Sequence, residues 1–258
     1  MEFHGIVYGV MVLMATYLFT ISLIADDASA TNKSDYTAQG DQPTRCPEPL
    51  PIIIDLQTSA LLMLHWQNDV VHPQGKFSKL WRKMIEEGNT ISHTKSALEA
   101  ARKSGMFIMF VNLGFQPGYP EVAMEMKQSN KGFYGMMVGQ KMLQQGSWGC
   151  TNIDEFKPLQ DEPIIYNYGT GVFEATPLER FLRNRGIKSL FLSGIATNYV
   201  VESTARAARD KGYENYVLMD CCNSSSQDLH CWPLANTLGH LAIVTDSAHF
   251  IKALEAIK

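Results

Sequence analysis

One side chain suited to proton transfer near neutral pH stands at the end of a short apolar run: His65 follows Ala60 to Leu64. An imidazole has a reference pKa of ~6.5, so a histidine at a strand tip facing a cleft can act as acid or base. The simpler reading is a neutral histidine hydrogen-bonded to its neighbours, since no second titratable partner for it stands out. Thr197 and Ser203 are hydroxyl candidates for a nucleophile, although capping and packing account for hydroxyls in such a segment. The turn Gly194-Ile195-Ala196-Thr197 offers a different chemistry. It joins an apolar run to a helical pattern, which aims backbone N–H groups at the carboxyl end of a sheet and favours an anion.

The elements that hold these residues follow from periodicity. Ser189 to Ser193 reads as a buried strand closed by Gly194. Asn198 onward places Val201, Ala205 and Ala208 at helical spacing, and Lys211-Gly212 ends that helix. Tyr216 to Met219 is the next strand, stopping at Asp220, so the stretch is a βαβ unit. Ala60 to Leu64 gives the first strand, and Phe77 to Gly88 and Asn89 to Ser104 give two helical segments. Met106 to Val111 and Ile164 to Tyr166 supply further strands. Thr176-Pro177-Leu178-Glu179 combines a capping box with proline at a helix start. Gln227 to Leu238 reads as helix, Ala242 to Val244 as the last strand and Ala248 to Ala256 as the closing helix. Asn112 to Glu162 is weakly periodic, a length that suits short helices, a lid or a subunit contact. Its methionines (Met124, Met126, Met136, Met137, Met142) suit adaptable packing against a partner, or ordinary core.

Three stretches in order resemble the isochorismatase-like hydrolases, also called the cysteine hydrolase superfamily. They are ALLMLHWQND from Ala60 to Asp69, IIYNYGTGVFEATPLERFLRNRGI ending at Ile187, and GIATNYVVESTARAARDKGY from Gly194 to Tyr213. The resemblance covers about Ile52 to Ala256. It implies a three-layer α/β/α domain, Rossmann-like, with a mainly parallel sheet. It also implies a catalytic set of aspartate, lysine and cysteine, whose positions here carry His65, Asn167 and Val200. Valine cannot attack a carbonyl carbon, and removing one member of such a set costs on the order of 10⁶ in rate. Loss of hydrolase activity is therefore expected, leaving a degenerate pocket in which Ala196, Val200 and Gln67 serve binding. The alternative is altered chemistry centred on His65, on C–N amide or vinyl-ether substrates. Asn167 keeps a hydrogen-bond donor where the family has an ammonium, without the charge. The resemblance places a non-proline cis peptide at Ile195–Ala196. The segment VNLGFQPGYPEV lacks the histidines that some members use for a metal, so neither metal nor cofactor is implied.

Ahead of the domain, Gly5 to Ala25 contains no charged residue and is long enough, at ~1.5 Å per residue, to span about 30 Å of hydrocarbon. Residues 1–25 read as a single-pass transmembrane anchor. A cleavable signal peptide is the competing reading, because Ala28-Ser29-Ala30 fits a cleavage site. Residues 26–51 are a polar linker or strap, and residues 52–258 the domain. Membrane localisation follows, with the bilayer as one partner and a membrane complex or a homo-oligomer as the other. The formal net charge of -4 leaves no basic footprint for nucleic acid. Five cysteines, Cys46, Cys150, Cys221, Cys222 and Cys231, form no C-x-x-C pair, and their odd number argues against a fully paired disulfide framework. Asn32 and Asn223 head glycosylation tripeptides.

Overall fold

The computed structural model describes residues 44–129 and 132–257. Its centre is β1, Ser59–Leu64, which is buried along its whole length. An uninterrupted apolar strand of this kind needs cover on both faces, and alternation divides it accordingly. Leu61 and Met63 face one core with Leu98, Ala101, Phe250 and Leu254. Ala60, Leu62 and Leu64 face the other with Leu178, Leu182, Ala205 and Ala208. The first set of partners comes from α1 (Thr90–Ser104) and from α5 (Ser247–Glu255), which closes the described chain. The second comes from α2 (Leu178–Asn184) and α3 (Glu202–Asp210).

The remaining strands are β2 (Phe107–Leu113), β3 (Ile164–Asn167), β4 (Ser189–Ile195), β5 (Glu214–Asn223) and β6 (Ile243–Thr245). They form one six-stranded sheet in the order β3-β2-β1-β4-β5-β6. Every pairing is parallel, so the expected mainly parallel sheet is parallel throughout. Chain order reverses between β1 and β4, and open α/β sheets place their sites at the carboxyl ends of such a pair. Gly194 lets the two strands approach there. A Cβ at that position would lie 2.6 Å from Leu64 Cβ and 2.7 Å from Leu64 O.

Several local expectations change. The segment from Phe77 breaks into a 3-10 turn, Ser78–Leu80, and a short helix, Arg82–Glu87. Thr176 accepts from Leu178 N at 3.3 Å, yet Glu179 does not complete the capping box. Its carboxylate pairs instead with Lys211 Nζ (2.8 Å) and Arg183 (3.4 Å), cations that a carboxylate prefers to a backbone amide. Helix α4, Gln227–Pro233, is capped by Ser226, and beyond the donor-less Pro233 it widens into a π turn, Leu234–Leu238. The Met-rich segment divides: Met137 and Met142 are core, whereas Met124 and Met126 are exposed.

Residues from Thr44 onward run as a strap against the domain. Thr44 N donates to Asp228 Oδ1 (2.8 Å), and Leu50 pairs with Val244 at the edge strand β6 (3.0 Å). A disulfide joins Cys46 to Cys231 across 185 residues, while Cys150, Cys221 and Cys222 are free and buried. Asn223 is buried, its amide donating to Met84 O (2.7 Å) and Thr90 Oγ1 (2.9 Å), which closes that tripeptide to glycosylation in the folded domain. Asn32 and the apolar segment Gly5 to Ala25 lie outside the described residues. Among the described residues no helix is long and apolar enough to cross a membrane.

Candidate functional site

His65 directly follows β1 with φ 59, a left-handed conformation uncommon outside glycine, and its backbone N donates to Val111 O at 2.8 Å. Asn167 ends β3, two strands away. The side chains meet across the end of β2, His65 Nε2 to Asn167 Oδ1 at 2.9 Å. Asn167 Nδ2 donates to Gly169 O (2.7 Å) and Gly171 O (3.0 Å). Both amide hydrogens face carbonyls, so Oδ1 must face the imidazole, and Nε2 must carry the proton. Among the described residues no hydrogen bond engages Nδ1, which is left as a bare acceptor. Burial pushes the imidazole down to about 4, outweighing the opposing effect of the asparagine bond. The ring is neutral at physiological pH and weakly basic.

The turn after β4 supplies the opposite wall. Ile195–Ala196 is a cis peptide, and Thr197–Val201 forms one π turn before α3. Val200 is 1% exposed and, with His65 and Ala196, borders a cavity of about 430 Å³. Asn167 stands behind His65 rather than on the cavity wall. The three positions implied by the resemblance are thus brought to one sheet edge, two of them lining one cavity. The rest of the wall is apolar and aromatic, including Phe77, Trp81, Phe133, Tyr134 and Tyr199, with Thr170 adding a hydroxyl. These aromatics were not legible in the sequence, because no spacing shows that rings from Phe77, Trp81, Phe133, Tyr134 and Tyr199 share one cavity.

Gln67 does not belong to the pocket. Its Nε2 donates to Leu113 O (2.6 Å) and Cys150 O (2.8 Å), and its Oε1 accepts from Leu113 N (2.7 Å). Asn68 holds Trp148 O and Thr151 Oγ1, each at 3.0 Å, and Asp69 accepts from Leu143 N at 2.9 Å. The Gln67-Asn68-Asp69 run therefore fastens the long 114–163 segment to the sheet. Full use of the amide's hydrogen-bonding groups leaves Gln67 nothing to offer a ligand.

Neither hydroxyl candidate is poised for attack. Thr197 Oγ1 bonds His230 Nδ1 at 2.7 Å, and Ser203 is half-buried on α3, off the cavity wall. A separate serine, histidine and aspartate do meet, but with the wrong connections. Ser247 Oγ donates to Asp220 Oδ2 over the short contact, while His93 Nδ1 lies 3.3 Å from the same oxygen and only at the longer 3.4 Å from Ser247 Oγ. The serine proton is directed at the carboxylate, which caps α5 through Ser247 N at 2.8 Å. Catalysis requires that proton to reach the imidazole. Cys150 is equally unsuited, its thiol pushed up to about 12 by burial and by Asp69. Among the described residues, Cys46, His230 and Cys231 are the one His/Cys/acid group with ligand atoms within 4.8 Å of one another. There both sulfurs are joined as a disulfide rather than free as thiolates.

A family model described as the isochorismatase domain matches residues 59–249. The chain belongs to the isochorismatase domain family. This isochorismatase domain is 29% identical over 219 residues to the ureidoacrylate amidohydrolase RutB of Methylobacterium radiotolerans, covering 80% of this chain and 83% of that protein. The corresponding enzyme of Caulobacter vibrioides is 28% identical over 194 residues, covering 70% and 83%. Among solved structures, a cysteine hydrolase from Pseudomonas syringae superposes with a TM-score of 0.68 at 19% identity, over 84% of this chain and 99% of its own. An isochorismatase family protein from Burkholderia thailandensis gives 0.63 at 25% identity, over 80% and 100%. The relatives place this isochorismatase domain in a hydrolase family.

Proposed function

We propose that this isochorismatase domain binds a small molecule without hydrolysing it, and serves as a membrane-held binding or assembly module. One observation carries the reading: valine occupies the wall where the family resemblance implies the thiol nucleophile. The environment of His65 supports it. A neutral imidazole whose proton is committed to Asn167, with no charged side chain on the cavity wall among the described residues, offers little acid or base strength near pH 7. The length and apolar, uncharged character of Gly5 to Ala25 support tethering. The Cys46–Cys231 disulfide supports a domain that faces an oxidising compartment, which either an anchor or an export signal would deliver.

The test is turnover. Offered ureidoacrylate, other N-carbamoyl compounds, nicotinamide and isochorismate, the purified protein is expected to release no product above the uncatalysed rate. Turnover that vanishes in His65→Ala would instead establish a hydrolase with chemistry centred on that histidine. For tethering, membrane extraction followed by N-terminal sequencing is expected to find the apolar segment retained. A soluble protein beginning at Thr31 would overturn that half of the reading.

A further inference from the structure

Among the described residues that line the cavity, the Trp81 Nε1–H is buried without a partner and Thr170 adds a hydroxyl that can donate or accept, so Nδ1 of His65 is the one unpaired acceptor of fixed polarity, and it selects among occupants. Nε2 of His65 is fixed as a donor to Asn167 by the two carbonyls that hold the asparagine amide. What His65 offers an occupant is therefore the lone pair of Nδ1. Among the described residues no Asp, Glu, Lys or Arg borders the cavity, so an ionic ligand would lose its hydration without a side-chain counter-charge. The N–H groups that open the turn after Ala196 belong to a π segment running on into α3, and a helix end supplies only about half a unit of positive charge, less than a full counter-charge. The Tyr134 hydroxyl is already committed to Tyr168 O at 2.8 Å. Rings dominate the rest: Trp81 meets Tyr199 edge-on at 6.4 Å, and Phe77 stacks on Phe133 at 5.4 Å. Such walls favour a flat aromatic occupant, which can meet ring faces and edges. About 430 Å³ lies within the range of small-molecule pockets, roughly 300–1,000 Å³.

We propose that the cavity binds a neutral aromatic molecule carrying one O–H or N–H group, which it donates to Nδ1 of His65. The proposal rests on the non-hydrolytic reading above, since it makes His65 a fixed hydrogen-bond acceptor rather than a catalyst. An occupant that lacks the donor leaves Nδ1 unpaired inside a filled apolar cavity, and a site built for a hydrogen bond discriminates against such an analogue.

The experiment is calorimetric titration of the full chain at pH 7 with three probes of one shape: 2-naphthol, 2-methoxynaphthalene and 2-naphthoate. The expected order is naphthol first, the methyl ether roughly ten-fold weaker (~1.4 kcal/mol), and the carboxylate weakest. Val200→Trp, which fills the cavity from its own wall, should abolish naphthol binding. Equal affinity for naphthol and its ether, naphthoate as the tightest ligand, or no naphthol binding at millimolar concentration would overturn the proposal. Naphthol binding that survives in folded Val200→Trp would do the same by placing the ligand elsewhere. The probe comparison uses the unaltered chain, so it decides the matter even if the variant does not fold. The turnover assay is independent. Turnover alongside the naphthol preference sinks the non-hydrolytic reading, whereas equal probe affinities without turnover sink only the ligand class.

Discussion

His65 donates to Asn167 across 2.9 Å, and the direction of that bond is set two residues further on, where Gly169 O takes one of the asparagine's amide hydrogens. Reversing the charge balance of the pair should awaken the histidine. In Asn167→Asp a carboxylate would face Nε2 and stabilise the imidazolium, so the His65 pKa should rise from about 4 toward or above the ordinary ~6.5. Proton NMR titration of the ring checks this. A His65 signal that stays silent between pH 5.5 and 8 in the variant would refute it.

Two buried histidines make stability depend on pH in a defined window. Burial holds both His65 and His230 down to about 4, whereas unfolded histidines titrate near ~6.5. Between those values the unfolded chain binds protons that the folded one refuses, so stability is full above ~6.5 and falls as pH drops toward 4. The slope should approach ~1.4 kcal/mol per pH unit for each histidine. Urea unfolding at pH 7.5, 6.5 and 5.5 measures it. Constant stability across that series would contradict the burial of neutral rings.

The Cys46–Cys231 bond closes a loop of 185 residues and pins the strap to α4. Replacing both cysteines by serine should lower unfolding free energy by about 2–5 kcal/mol, mostly by freeing the unfolded chain. Chemical denaturation of the two forms provides the comparison. An unchanged midpoint would mean that the bond restrains nothing.

Gln67→Leu removes three hydrogen bonds between β1, β2 and the segment around Cys150. Unpaired backbone groups at Leu113 should cost about 1–3 kcal/mol each. Limited proteolysis should then cut faster within residues 140–152, while naphthol affinity stays as in the unaltered chain. Lost affinity with unchanged proteolysis would return Gln67 to the pocket.

The fold was readable because buried parallel strands announce themselves as apolar runs, and β1 and β4 both do. Their meeting edge was readable too, since Gly194 and the helix beyond it mark a strand–turn–helix. The role of Gln67 was not, because an amide looks the same in sequence whether it faces a ligand or two backbone strands. The partner of Glu179 was hidden for a related reason: a capping box is a local pattern, and Lys211 lies 32 residues away. The aromatic wall depended on Phe77, Trp81 and Phe133, which come from irregular or short elements whose placement is tertiary. The Cys46–Cys231 pairing likewise had no local signature, as the strap reaches α4 only after the chain has folded.

The protonation state of one ring separates binding from catalysis, and long-range ¹H–¹⁵N correlation of His65 at pH 7 reads it directly. The structure predicts the neutral tautomer with hydrogen on Nε2 and a bare Nδ1, unchanged down to about pH 5. An imidazolium at pH 7, or hydrogen on Nδ1, would contradict it and restore His65 as a candidate acid for catalysis.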